Sequence, residues 1–206
     1  GDERMIESYV TGDPYFYFAK EAYNLPADTP RGGEEVEMLR NRCKACILAV
    51  QYGLGTRNLA LRLKITHQEA QYLMYLHRTT FTGFWRWSQW AVRYGIFNGT
   101  IHTAFGWNMH VNQYTGNRTI MNFPMQANGC EMLRLACCML TEALVAVCAP
   151  IHDAILITAP TSEIDRYASV TKCIMAEASR QVLNGFALLT DCNIVRHPET
   201  YQVSKG

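Results

Sequence analysis

Four side chains on one predicted helix have the types and spacing that could bind a nucleoside triphosphate. Every fourth residue contributes one of them: Arg40, Lys44, Leu48 and Tyr52. At about 100° per residue they share one helix face. On that face two cations would meet phosphate groups, and the apolar and aromatic side chains beyond them would lie near a base. The alternative is a solvated face with two basic residues, and the spacing alone favours that alternative.

The dipeptide His152-Asp153 lies between two apolar runs, at the point where a β-hairpin would turn. An aspartate in this place is either a turn residue or a carboxylate held out for a cation. The spacing alone favours the turn residue.

Three polar side chains recur at four-residue spacing within residues 118–126: Arg118, Asn122 and Gln126. Such groups can form hydrogen bonds with a polar ligand. The alternative is a capped helix start with a surface arginine.

The elements that would position these residues are mostly helices in the first half of the chain. Hydrophobic periodicity, capping residues and glycines predict helices at 6–23, 34–52, 66–78, 82–94, 124–146 and 162–183. The same signals predict a hairpin over 101–111 that turns at Gly106, a β-run over 151–158 and a strand over 186–190. Thr66 and Glu69 form the sequence pattern of a capping box. Together these elements predict an α+β fold with two lobes.

Composition excludes several classes of protein. Hydrophobic residues make up 49% of the 206 residues and charged residues 18%, which is typical of a globular protein. The formal net charge is +1, so any positive field that attracts DNA must be local. The most apolar run, at 136–151, is interrupted by polar residues and Pro150, and we expect no membrane span. We expect the eight cysteines to be reduced, as in the cytoplasm.

The three polar patterns, taken in order, resemble the motifs of family A DNA polymerases. Arg40-x-x-x-Lys44, followed by Tyr52-Gly53, is similar to motif B of the fingers helix, and the run 118–126 is similar to Arg-x-x-x-Asn-x-Pro-x-Gln of that family. His152-Asp153 is similar to motif C of the palm. The resemblance covers nearly the whole chain.

The resemblance implies a role for each matching residue. The incoming dNTP would be bound by Arg40, Lys44, Leu48, Tyr52 and Gly53, and the minor groove of primer–template DNA by Arg118, Asn122 and Gln126. Asp153 would be the catalytic carboxylate that holds Mg²⁺, and His152 would lie near the primer end. The reaction implied is nucleotidyl transfer from a dNTP to a primer 3′ end by a two-metal mechanism. The parent protein would be a cytoplasmic enzyme of bacterial or phage type.

This sequence departs from the family pattern at several positions. Leu48 replaces an aromatic residue, Ala154 replaces an acidic or hydroxylated one, and no histidine occurs near Phe16, where the family often has a phosphate-contacting one. The resemblance also places the second metal-binding carboxylate, that of motif A, upstream of Gly1 with the remaining polymerase domains. We therefore expect the chain to be a fragment that does not polymerise DNA by itself.

The resemblance divides the chain into a helical fingers subdomain at 1–110 and the C-terminal half of a palm subdomain with a small antiparallel sheet at 111–206. Three alternatives are open: a single-subunit RNA polymerase, a zinc or redox protein and a non-catalytic nucleic-acid-binding module. The zinc or redox protein is suggested by Cys43-x-x-Cys46, although both sulfurs fall on the apolar stripe of their helix. The binding module would use Trp85, Trp87 and Trp90 to stack on single-stranded bases.

Overall fold

The computed structural model of the chain describes residues 1–196. Within them lie eight α-helices and four β-strands: α1 (Glu3–Val10), α2 (Pro14–Tyr23), α3 (Glu34–Gln51), α4 (Thr56–Leu63), α5 (His67–Thr80), α6 (Thr82–Asn98), β1 (Thr100–His102), β2 (Asn108–His110), α7 (Asn117–Glu142), β3 (Ala146–Ile151), β4 (Ala154–Thr158) and α8 (Ile164–Val182). The strands form two small sheets, β1–β2 and β3–β4. The predicted α+β fold is confirmed.

The chain divides into two compact units. The first unit comprises residues 1–101 and 110–122, and the second comprises residues 102–109 and the chain from Phe123 onward. The predicted assignment of 1–110 to fingers and 111–206 to palm stays a prediction. Its last ten residues, 197–206, lie outside the described part of the chain.

The single helical region predicted over 6–23 is two helices, and this prediction was wrong. The Asp2 side chain accepts a hydrogen bond from the Met5 N–H and begins α1, and Asp13 caps α2 in the same way at the Phe16 N–H. Pro14 occupies the first turn of α2, where its missing N–H costs no helical bond. The sequence Gly12-Asp13-Pro14 therefore ends one helix and begins the next.

Helices α3 and α5 begin and end close to the predicted residues. Three glutamates in the first turn of α3, at positions 34, 35 and 37, face the positive end of the helix dipole. Gly53, with φ of +77°, takes the left-handed conformation after the helix, as expected for a residue that ends a helix. The capping box of α5 is confirmed, because Thr66 accepts from the Glu69 N–H and the Glu69 carboxylate accepts from the Thr66 N–H.

Three predicted helix boundaries were wrong, one of them the end of α7, which lies at Glu142 and not at residue 146, where β3 begins. Gly95 does not end α6, which continues to Asn98 and ends at Gly99. Gly95 is buried instead, and a Cβ there would lie 2.8 Å from Cγ2 of Ile120, so the missing side chain permits close packing. Pro124 does not begin α7 but lies inside it. A proline in a helix interior removes one backbone hydrogen bond, and this 26-residue helix continues across that position.

The C-terminal part of the second unit contains one confirmed hairpin and lacks one predicted strand. Strands β3 and β4 pair antiparallel, with Ile151 opposite Ala154, so His152-Asp153 forms the turn as predicted. The strand predicted over 186–190 is irregular backbone. There the Leu188 N–H donates to Oγ of Ser179 on α8, which takes the donor that a strand would have offered to a neighbouring strand.

The core of the first unit is a cluster of rings. Phe18 on α2, His77 on α5 and Phe81 after α5 are almost completely buried, and their ring centroids lie 4.9–5.8 Å apart. Phe84 and Trp85 on α6 extend the cluster. These contacts fix α2 beside α5 and α6. Among residues 1–196, no helix has both the length and the apolar character that crossing a membrane would require.

Candidate nucleotide and nucleic-acid site

The two faces predicted for α3 are present. Cys43, Cys46, Ile47 and Val50 are buried, with at most 5% of their surface exposed. On the other side, Lys44 and Tyr52 are exposed, and Arg40 and Leu48 are half-buried. The basic and aromatic side chains therefore lie on a surface that a ligand can reach, and the apolar stripe packs into the first unit.

Arg40 is held by a carboxylate of the neighbouring helix. Its Nε donates to Oδ2 of Asp13 at 2.6 Å, and Arg31 donates to the same oxygen at 2.5 Å. Arg31 also bonds Glu37 on α3 at 2.9 Å. Burial by itself raises the pKa of Asp13, but the hydrogen bonds from Arg40 and the Phe16 N–H and the charges of both arginines lower it below its ordinary value. Asp13 is thus ionised at neutral pH and fixes the guanidinium.

Tyr15 brings the two predicted phosphate-binding cations onto one aromatic ring. The ring centroid lies 5.6 Å from Cζ of Arg40 and 5.6 Å from Nζ of Lys44. Both distances lie within the range of cation–π attraction. The sequence interpretation missed Asp13 and Tyr15. The capping pattern at Asp13-Pro14 is the signal that could have placed them in the first turn of a helix.

The end of α3 meets the beginning of α7 within the first unit. Nδ2 of Asn122 donates to the backbone oxygen of Tyr52 at 3.4 Å. A Cβ on Gly53 would lie 3.0 Å from Cγ of Arg118 and 3.1 Å from Cε of Met121, so a larger residue would displace α7 side chains. Two of the three predicted motifs therefore form one continuous structure.

Asn122 has one oxygen whose bonding is incomplete. Oδ1 of Asn122 is buried and has no hydrogen-bond partner among the described residues. A buried acceptor without a donor costs about 1–3 kcal/mol. The role predicted for Asn122 in DNA binding stays a prediction.

The turn of the β3–β4 hairpin presents His152 and Asp153 to solvent. His152 has φ of +56°, a left-handed conformation that is uncommon for a residue with a side chain. Both side chains are exposed, and both belong to the second unit. Gln126, the third member of the predicted minor-groove set, is exposed on the part of α7 that belongs to the same unit.

An open cleft of about 530 Å³ in the second unit is a further surface that the sequence interpretation missed. It is lined by Phe105, Gly106, Trp107, Glu131, Arg134, Leu135 and Cys138. The guanidinium of Arg134 lies 5.0 Å from the ring of Trp107, and buried Glu131 accepts hydrogen bonds from Thr103 and the Phe105 N–H. An indole with a guanidinium beside it is a surface on which a nucleobase can stack.

Asp153 fits part of a magnesium site. Mg²⁺ is usually bound by one or two carboxylates together with waters and phosphate oxygens, and the exposed Asp153 offers one carboxylate. Within residues 1–196, no three His, Cys, Asp or Glu side chains come together in a way that could hold a metal ion.

The buried cysteines of α3 do not have the properties of zinc ligands or of redox-active thiols. Burial raises the pKa of the Cys43 thiol and of the Cys46 thiol to about 12. Zinc binding and thiol chemistry both require the thiolate, which this environment disfavours. The Cys43-x-x-Cys46 pattern is therefore explained by packing.

Comparison with known proteins gives a match over nearly the whole chain. The family model of DNA polymerase family A matches residues 1–194. DNA polymerase I of Mycobacterium tuberculosis is 25% identical over 194 residues, which cover 86% of this chain and 21% of that protein. DNA polymerase I of Deinococcus radiodurans is 26% identical over 188 residues, or 84% of this chain and 19% of that protein. The chain thus spans about a fifth of the length of these relatives.

A solved structure has the same fold. It is described as the POL domain of Pol1 from M. smegmatis in complex with DNA primer-template and dNTP, with a TM-score of 0.73 and 23% identity. The match covers 86% of this chain and 33% of that one. The single-subunit RNA polymerase alternative finds no support in these comparisons, because the matching family and relatives are DNA polymerases.

Proposed function

This chain belongs to DNA polymerase family A, and we propose that it forms the nucleotide-binding region and part of the catalytic region of a DNA-directed DNA polymerase. The observation that carries the proposal is the basic face of α3, where Arg40 and Lys44 each lie 5.6 Å from the centroid of the Tyr15 ring. The M. smegmatis structure, which has the same fold, was solved with primer-template DNA and dNTP. These are the partners that we propose for the polymerase containing this chain.

In this proposal α3 binds the incoming dNTP. The Arg40 guanidinium and the Lys44 ammonium bind phosphate oxygens through charge-assisted hydrogen bonds. One turn further along the helix Leu48 packs near the sugar and base, and Tyr52 with Gly53 bounds the space for the new base pair. The contacts of Gly53 with α7 support this role, because a Cβ there would press on Arg118 and Met121 at 3.0–3.1 Å.

We propose that α7 contacts the primer–template minor groove through Arg118, Asn122 and Gln126. All three are polar residues of α7, and the two outer ones are exposed. Their donors can bond acceptors that every base pair presents, so the contact is independent of sequence. A polymerase must bind any base pair at this position, and such a contact meets that need.

We propose that Asp153 holds Mg²⁺ and that His152 lies near the primer end. The primer 3′ hydroxyl gives up its proton to solvent, its oxygen attacks the α-phosphorus of the dNTP to form a new P–O bond, and the bond to pyrophosphate breaks. When bound, magnesium stabilises the charge on the attacking and leaving oxygens. Asp153 contributes a carboxylate at a tight hairpin turn, and Arg40 and Lys44 stabilise the phosphates of the leaving pyrophosphate.

In this proposal, the remaining parts of the enzyme come from polymerase sequence outside this chain. The chain spans about a fifth of the length of its curated relatives. A two-metal centre also needs a second carboxylate beside that of Asp153. We propose that further polymerase domains supply it. The relatives are bacterial enzymes, which supports a bacterial or phage-type parent that acts in the cytoplasm.

The experiment that tests the proposal is primer extension by the full-length polymerase that contains this chain, with Asp153→Ala. Loss of a metal-binding carboxylate removes several kcal/mol of transition-state stabilisation, so extension should fall by about a thousandfold or more. Binding to primer–template DNA, measured by fluorescence anisotropy, should change little. Asp191→Ala is the matched control, because Asp191 is an exposed carboxylate of the same unit. Extension by Asp153→Ala at the rate of the control would refute the assignment.

A further inference from the structure

The first turn of α2 lies against the basic face of α3 and contacts both of its cations. We propose that Asp13 and Tyr15 are positioning residues for the triphosphate, which hold Arg40 and Lys44 in the geometry that binds it. The inference rests on the proposed function of α3 and assigns a role to two residues outside the family motifs of the sequence.

Asp13 connects the start of α2 to the Arg40 side chain. Its Oδ1 accepts from the Phe16 N–H at 3.1 Å and so caps the helix, and its Oδ2 accepts from Nε of Arg40 at 2.6 Å. The cap anchors the carboxylate to the backbone, so its second oxygen stays in place when a ligand enters. Arg40 and Asp13 are also shielded, with side-chain exposures of 19% and 13%. The ion pair is therefore less screened by solvent than a surface pair.

The bond from Nε of Arg40 to Asp13 leaves the two terminal nitrogens of the guanidinium available for a ligand. Nε is used by Asp13, and Nη1 makes a long contact of 3.4 Å with Asn41. Within residues 1–196, Nη2 has no hydrogen-bond partner. A guanidinium held through Nε presents its two terminal nitrogens in a fixed fork, which matches two phosphate oxygens. The Asp13 contact thus orients Arg40 without occupying the groups that would bind phosphate.

The Tyr15 ring contacts both cations, Arg40 and Lys44. Two like charges repel, and a triphosphate site needs them near each other before the anion arrives. The negative face of the ring attracts both Arg40 and Lys44 at 5.6 Å from its centroid. Restricting these two long side chains in advance reduces the entropy that they lose when the ligand binds. The aromatic ring is the part of Tyr15 that does this, so phenylalanine should replace it.

Three variants of the full 206-residue chain separate positioning from folding. Asp13→Asn keeps a side-chain oxygen for the helix cap but removes the charge that holds Arg40. Tyr15→Phe keeps the ring, and Tyr15→Leu removes it. Isothermal titration with dATP and Mg²⁺ measures the affinity, and thermal unfolding shows that each variant is folded.

We expect Asp13→Asn and Tyr15→Leu each to weaken dATP binding about fivefold, which corresponds to roughly 1 kcal/mol of lost pre-organisation. Tyr15→Phe should retain most of the affinity. In an Arg40→Ala background, Asp13→Asn should change the affinity less than twofold, because the residue that it positions is gone. A role in stability alone would not produce that non-additivity.

Several results would overturn the inference. If Asp13→Asn binds dATP as tightly as the natural chain, Asp13 does not position Arg40, and if it binds more tightly, Asp13 competes with phosphate. If Tyr15→Leu equals Tyr15→Phe, the ring has no role. An additive effect of Asp13→Asn in the Arg40→Ala background also contradicts it. Failure of the proposed function gives a different result: Arg40→Ala itself would leave dATP binding unchanged.

Discussion

The burial of His77 predicts that the first unit loses stability as the pH falls from 7 to 5. Its ring is completely buried among four aromatic side chains, and Nδ1 accepts a hydrogen bond from the indole N–H of Trp85 at 3.1 Å. Burial lowers the pKa of His77 from 6.5 to about 4, against a smaller raising effect of the Asp2 charge. Protonation of Nδ1 would break the bond to Trp85 and place a charge in an apolar cluster.

The size of the effect follows from the two pKa values. The unfolded chain takes up a proton near pH 6.5 and the folded chain near pH 4, so the unfolded state binds more protons between these values. The stabilisation is complete above pH 6.5 and is lost as the pH falls towards 4. From pH 7 to pH 5 the free energy of unfolding should fall by about 2 kcal/mol because of His77. Asp13 and Glu69, whose pKa values are lowered, contribute mainly below pH 5.

Urea unfolding of the 206-residue chain, followed by tryptophan fluorescence at pH 7, 6 and 5, measures this loss. The control is His77→Asn, which keeps an acceptor near the position of Nδ1 and has no group that titrates in this range. The variant should be less stable at pH 7 because a smaller side chain leaves a cavity. Its stability should change with pH by about 2 kcal/mol less than that of the natural chain. Equal pH dependence of the two proteins would refute this account of His77.

Two further predictions concern packing. Gly95→Ala places a methyl group 2.8 Å from Cγ2 of Ile120 and should lower the free energy of unfolding, measured by urea titration, by about 1–3 kcal/mol. The control Gly129→Ala meets no atom within 4 Å and should be neutral or stabilising. Equal effects of the two substitutions would contradict the close packing at Gly95. Cys43 and Cys46 are completely buried, and burial raises the pKa of each thiol to about 12. These thiols should not react with a disulfide reagent at pH 8 until the chain unfolds. Their rapid modification in the native chain would show that this face of α3 is not buried.

Features that depend on one helix or one hairpin could be predicted from the sequence. The two faces of α3 follow from the positions of Cys43, Cys46 and Lys44 at a period of 3.6, and the burial of these residues agrees. The capping box at Thr66 and the hairpin turn at His152-Asp153 are also local, since each depends on residues within a few positions of one another. Local signals of this kind survive in the folded chain because the fold does not oppose them.

Features that depend on contacts between elements could not be predicted in this way. Gly95 has the chemistry of a helix end, but it continues a helix because Ile120, which is 25 positions away, packs against it. Pro124 has the chemistry of a helix start and lies within a helix. The strand expected over 186–190 is absent because Ser179 takes one of its backbone donors.

The candidate site also has a part that the sequence predicts and a part that depends on contacts between helices. Motif spacing identifies Arg40 and Lys44, but nothing in the sequence states that Asp13 and Tyr15 contact them. That contact requires α2 to pack against α3 with Asp13 and Tyr15 towards Arg40 and Lys44. The predicted roles of the site residues in nucleotide and DNA binding stay predictions.

The central claim is that the exposed face of α3 binds the triphosphate of the incoming nucleotide. The measurement that tests it most directly is primer extension by the full-length polymerase with Lys44→Ala, over a range of dNTP concentrations. Loss of a charge-assisted hydrogen bond of about 1.5–3 kcal/mol should raise the KM for dNTP by roughly 10- to 100-fold and leave the Kd for DNA nearly unchanged. Lys172→Ala, an exposed lysine on α8, is the control. A Lys44→Ala enzyme with the dNTP dependence of that control would contradict the account.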